Sequence, residues 1–196
     1  MSSDNRFLDA VFYVPKAGRE FSLAELLRHA APDVTIRSDQ AVDAAATSIV
    51  VTWAGIECIA TMSEEEFHYR LHIEFHESHF SRWLPEEDEP VPIEEDPLIH
   101  MTMAFATTCE LLGVDVAMIA TRNYQTTDDE MSKIYPLITT QSGLDLVGHE
   151  YGLLYLSEPF CENVDLIRIQ NRRDILQQPH GCLIFAGNET PYGRWS

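Results

Sequence analysis

Apolar positions along the chain come in two patterns, unbroken runs and alternating or helical stripes. LDAVFYV (8–14) is an apolar run ended by Pro15 and Gly18, which predicts a buried strand. Ser22 opens SLAELLRHAA, where Ser22 and Glu25 make a capping-box pattern and Leu23, Leu26, Leu27 and Ala30 share one face. A short helix is expected there, stopped by Pro32. Val34–Arg37 alternates weakly and predicts a strand. SIVVTW (48–53) and IECIATM (56–62) flank Ala54-Gly55 and predict a hairpin, with Trp53 a core or edge aromatic.

Ser63 and Glu66 repeat the capping-box spacing, so a long helix is expected from about residue 64 to Trp83. The first 84 residues then read as β-α-β-β-α, a ferredoxin-like unit short of its last strand. Asp96-Pro97 reads as a helix start, and LIHMTMAFATTCELL continues as an apolar helix ended by Gly113. VDVAMIA (114–120) is a buried strand that would complete the β-α-β-β-α-β unit. Residues 121–133 read as loop with a helical turn near Asp128–Lys133, and Pro136 interrupts the apolar patch IYPLIT. The last third holds three strand-like runs, YGLLYL (151–156), VDLIRIQ (164–170) and CLIFAG (182–187), with RDILQQ between the last two as a short helix or turn. The tail GNETPYGRWS, with Trp195, is expected to be mobile or to dock across a homodimer. The expected architecture is a single α+β domain over 1–196, with a mixed or antiparallel sheet of six or seven strands and helices mainly on one face.

Charge changes the picture more than composition does. Acids number 32 against 13 bases, for a net charge of -19, while hydrophobic residues at 45% allow a full core. Such a surface repels nucleic acid and anionic membrane and attracts a basic protein partner. Residues 85–97, PEEDEPVPIEEDP, concentrate seven acids and four prolines in an exposed linker or loop. The candidate partner-binding residues are therefore Glu86, Glu87, Asp88, Glu89, Glu94, Glu95 and Asp96. The profile is that of a small acidic inhibitor, such as an immunity protein that occludes the active cleft of a bacterial toxin.

HYRLHIEFHESH (68–79) holds half of the eight histidines. On a helix His68, His72, His76 and His79 fall within about 80° of one another. That stripe has three readings: filler on a half-buried helix, a pH-sensitive interface, or a zinc site built on i, i+4 imidazoles. The usual zinc and di-iron signatures are incomplete, because no Glu follows His68 or His72 directly in an HExxH pattern and Glu65–His68 has no second Glu-x-x-His pair. His100 and His149 could complete a site only in space.

No nucleotide-binding or nucleophile-elbow motif occurs, and the chain leans away from an enzyme. Cys161 and Cys182 have His149 and His180 near in sequence, which does not by itself pair a nucleophile with a base. Arg168, Arg172 and Arg173 form the one basic cluster and suit pairing with the chain's own acids. No CxxC, signal-peptide pattern or membrane-length apolar run occurs, so a reduced cytoplasmic setting without disulfides, and with no cofactor other than the alternative zinc, is expected.

Overall fold

The computed structural model describes residues 7–31, 33–36, 47–76, 97–121, 153–161 and 175–185. Within them the chain forms β1 (Phe7–Pro15), α1 (Leu23–His29), β2 (Val34–Ile36), β3 (Ser48–Trp53), β4 (Ile56–Glu64), β5 (His68–His76), α2 (Pro97–Leu112), β6 (Val116–Thr121), β7 (Leu153–Ser157), α3 (Glu158–Cys161), β8 (Ile175–Gln178) and β9 (Gly181–Phe185). The strands make one sheet in the order β2-β3-β4-β5-β1-β6-β7-β9-β8. Every described pairing is antiparallel.

This corrects the expected ferredoxin-like β-α-β-β-α-β unit with its helices on a six- or seven-stranded sheet. The described residues form a nine-stranded antiparallel sheet, and residues 68–76 of the expected second helix are a strand. The reason lies in residues 68–74. Tyr69, Leu71 and Ile73 are buried, while Arg70, His72 and Glu74 between them are only partly so. On a helix Leu71 would point about 160° or more away from both Tyr69 and Ile73; on a strand all three share a face. A spacing of four suits the histidines in either geometry, so they could not decide the matter. Instead of starting a helix, the Ser63–Glu66 segment ends β4 and enters a tight turn. Glu64 pairs with Tyr69, and Glu65 N–H donates to His68 O at 2.9 Å.

A second correction concerns RDILQQ, read as a helix or turn: Ile175–Gln178 is a strand, paired with β9 through the two-residue loop Pro179-His180. The β3–β4 hairpin forms where Ala54-Gly55 predicts it. Trp53 pairs with Ile56, and Ala54 and Gly55 have φ of 50° and 79°, as a type I′ turn needs. Ser22 caps α1 with the reciprocal bonds of a capping box: Glu25 N–H donates to Ser22 Oγ, and Ser22 N–H donates to Glu25 Oε2. The Ser22 N–H and hydroxyl, both donating to Oε2, hold the Glu25 carboxyl below its ordinary range.

The sheet explains why the apolar patterns differ between its halves. One face carries Phe12, Val51, Trp53, Cys58, Leu71, Ala117 and Tyr155, and packs against Leu23, Leu26 and Leu27 of α1 and Met101, Phe105 and Cys109 of α2. Phe12 sits at the centre, 6.0 Å from the Trp53 ring at 86° and 5.5 Å from Phe105. On the opposite face Val11, Val116, Met118, Leu154, Leu156, Cys182 and Ile184 are also buried. Strands β1, β6, β7 and β9 are thus buried on both sides and read as unbroken apolar runs. Across β3 and β4 the opposite face holds partly or fully exposed Val50, Thr52, Glu57 and Ile59, so those strands alternate.

Candidate functional site

The histidines come first because the sequence singles them out. His68, His72 and His76 lie on β5, where they pair with Pro15, Val11 and Phe7 of β1. Four residues along a strand span about 13 Å, against roughly 6 Å for one helical turn. The short ring separation that made the stripe a chelate is therefore absent between His68 and His72, and Arg70 stands between them on the same face. Among the described residues no three His, Cys, Asp or Glu side chains come together in a way that could hold a metal ion. His79 lies outside the described residues, as do Glu86, Glu87, Asp88, Glu89, Glu94, Glu95 and Asp96. The 121–133 loop beyond Thr121, the IYPLIT patch, His149, the 164–170 run with Arg168, Arg172 and Arg173, and the tail after Gly187 lie outside them too.

His68 has a defined role. It is 5% exposed, and its Nε2 lies 2.8 Å from Asp115 Oδ2. An ionised carboxylate only accepts, so Nε2 carries the proton. Asp115 is also a backbone junction: its N–H donates to Tyr13 O, and its C=O accepts from Ser157 N–H. The pair therefore fastens the start of β5 to the α2–β6 connection. His72 lies across from Val11 on one side and Thr61 on the other, on the half-open part of the sheet.

Two clusters arise only from folding. In the first, Glu110 near the end of α2 accepts from the Tyr155 hydroxyl at 3.0 Å and from His180 N–H at 3.3 Å, and its Oε2 is bound by His180 Nδ1. Burial, then the bond to Glu110, push the Tyr155 hydroxyl far above the ordinary tyrosine range. The carboxylate faces Nδ1 of a His180 ring that is 79% exposed. The arrangement holds the β8–β9 turn to α2. Glu110 and Tyr155 stand 45 residues apart, and Glu110 and His180 stand 70 apart, so spacing carried no sign of them.

In the second, Cys161 of α3 and Cys182 of β9 place their sulfurs 2.6 Å apart. The hydrogen bond from Cys182 lowers the Cys161 thiol below its ordinary value, and the same bond, with burial, raises Cys182. Cys58 and Cys109 are buried without such a partner. Desolvation pushes Cys58 up to about 12 and Cys109 well above the ordinary range.

No protein-family model matches the chain, and no curated protein matches it. Among solved structures, a T6SS protein of Pseudomonas aeruginosa is similar over 93% of this chain and 69% of its own length, with 11% identity and a TM-score of 0.45. No helix among the described residues is long and apolar enough to cross a membrane.

Proposed function

We propose that this chain is an acidic binding protein that inhibits a basic protein partner by occluding its active cleft, in the manner of an immunity protein against a bacterial toxin. The observation that carries the reading is the excess of 32 acids over 13 bases in a chain that nonetheless builds a nine-stranded sheet with buried residues on both faces. A folded body of that charge meets a Lys- and Arg-lined cleft at an electrostatically enhanced rate and is repelled by competing polyanions. Seven of the acids stand at Glu86, Glu87, Asp88, Glu89, Glu94, Glu95 and Asp96, interleaved with Pro85, Pro90, Pro92 and Pro97. Proline limits the backbone freedom lost on docking, so a carboxylate strip of this composition binds at lower entropic cost than a flexible one. The strip would stand in for the phosphates of a nucleic-acid substrate or simply block the cleft.

The test is capture of the partner from the native source at low salt, followed by assay of the partner's own catalytic activity. Stoichiometric inhibition, a Kd that weakens steeply with salt, and a loss of at least about tenfold on reversing Glu86, Glu87, Glu94 and Glu95 to Lys are expected. If the fourfold reversal binds and inhibits with the same salt dependence, the acidic strip is not the contact surface. If the captured partner is acidic or keeps full activity when saturated, the inhibitor reading fails.

A further inference from the structure

The turn that follows β1 builds a basic pocket on this acidic chain. Ala17 and Gly18 both adopt positive φ, at 46° and 73°. The turn closes through Arg19 N–H donating to Lys16 O at 2.8 Å, and it is tied to the β4–β5 hairpin by Lys16 N–H donating to Phe67 O at 3.0 Å. Tyr69 pins its far side, because its hydroxyl donates to Arg19 O at 3.1 Å and accepts from Phe21 N–H at 3.2 Å. These bonds fix the rim of a cavity of about 230 Å³. Its walls include Val14, Leu26 and Leu112, all buried and apolar, and its rim carries Lys16, Arg19 and His29.

Charge makes this cavity unusual. None of its lining residues is acidic, although acids outnumber bases 32 to 13 in the chain. Lys16 is shared between Glu64 at 2.7 Å and the face of Tyr69, 5.6 Å from the ring centroid. The Arg19 guanidinium meets no carboxylate among the described residues. His29 stands with its ring edge-on to Phe21 at 5.4 Å. An apolar pocket with convergent cationic groups suits a ligand that has an apolar body and one negative end. The volume lies below the roughly 300–1,000 Å³ of sites for drug-sized molecules, which limits the body to about ten heavy atoms.

We propose that this pocket binds a small organic monoanion, a carboxylate on a short aliphatic or aromatic body, with the carboxylate against Arg19 and Lys16 and the body on Phe21 and Leu111. A bare inorganic anion would leave the apolar walls uncovered, and a neutral molecule of the same shape would forgo the charge-assisted bonds. The proposal does not depend on the inhibitor reading.

Calorimetric titration of the full chain with octanoate, 1-naphthoate and neutral octanol tests this. One-to-one binding of at least one carboxylate is expected, at least about tenfold tighter than octanol. Arg19→Gln, at an exposed position, should weaken the carboxylate by about tenfold and leave octanol unchanged. Leu111→Trp, placed at the exposed edge of the same lining, should weaken both. Tighter binding of octanoate or of naphthoate tells which body the pocket prefers. Thermal unfolding of each variant confirms that it is folded. Absence of binding by both carboxylates, octanol binding as tightly as they do, or an Arg19→Gln protein that binds octanoate unchanged would each overturn the proposal.

Discussion

Trp53 Nε1 donates to Thr108 Oγ1 at 3.0 Å, with both residues fully buried. The bond joins β3 to α2 across the main core and satisfies the one polar side-chain atom of Trp53, the largest fully buried side chain among the described residues. Thr108→Val keeps the shape and removes the acceptor, so it should cost about 1–3 kcal/mol. Urea unfolding measures the loss. In a Trp53→Phe background, where no donor remains, the same substitution should cost clearly less, and equal costs in both backgrounds would show that the bond contributes nothing.

Asp115 and His68 give a second prediction. Asp115→Ala leaves the Nε2–H of a nearly buried imidazole without its carboxylate. A loss of about 1–3 kcal/mol is expected. His72→Ala, on the half-open part of the face, should change stability by less than about 1 kcal/mol. Thermal unfolding of the purified protein should be the same with and without a chelator. A Tm that drops on chelation, and no longer does so in the His72→Ala protein, would revive a metal site built on His72 and His79.

Gly181 marks a point where strands β7 and β9 leave no room. A Cβ there would lie 2.2 Å from the Leu156 carbonyl oxygen and 2.9 Å from the Tyr155 ring and hydroxyl. Backbone cannot rotate away as a side chain can. Gly181→Ala should cost about 1–3 kcal/mol or more, a fall in Tm of about 2–10 °C. An unchanged Tm would mean that β9 can shift in register against β7 at no cost.

The four thiols should separate by reactivity. Thiolate is the nucleophile, so the labelling rate by iodoacetamide follows each thiol's ionisation. Cys161, lowered by its bond from Cys182, should label first, with a pH midpoint below that of a free thiol at about 8.5. Cys58, raised to about 12 by burial, and buried Cys109 should label only on unfolding. In Cys182→Ala the Cys161 midpoint should move up, because the bond that favoured its thiolate is gone. Peptide mass mapping across pH 6–10 reads all of these, and an unmoved Cys161 midpoint in the variant would dismiss the assigned cause.

Local chemistry was legible wherever it was self-contained. Ser22 with Glu25, Ala54-Gly55 and the apolar runs of β1, β6 and β7 specify a cap, a turn and buried strands through residues that touch along the chain or meet the same surroundings on both faces. The net charge and the acidic strip at 86–96 are likewise properties of sequence alone, and they still carry the functional reading. Residues 63–76 were misread because Ser63-x-x-Glu66 and a four-residue histidine spacing fit a helix, while the alternation of Tyr69, Leu71 and Ile73 fits only a strand. The deciding partner is β1, which pairs with β5 over its whole length and lies more than fifty residues away in sequence. Such pairing overrides a local capping signal worth about 1 kcal/mol.

The tertiary structure alone decided which polar groups meet. The carboxylate of Glu110 lies against Tyr155 and His180, Asp115 against His68, and Cys161 against Cys182, at separations of 21 to 70 residues. The turn after β1 became the rim of a cationic pocket only when Tyr69 and Phe67 fastened it and Leu112 closed its floor. Sequence determines what each residue can bond and how its neighbours bias the backbone. Which distant groups share a few ångströms is set by the one arrangement of strands that buries both kinds of apolar pattern at once.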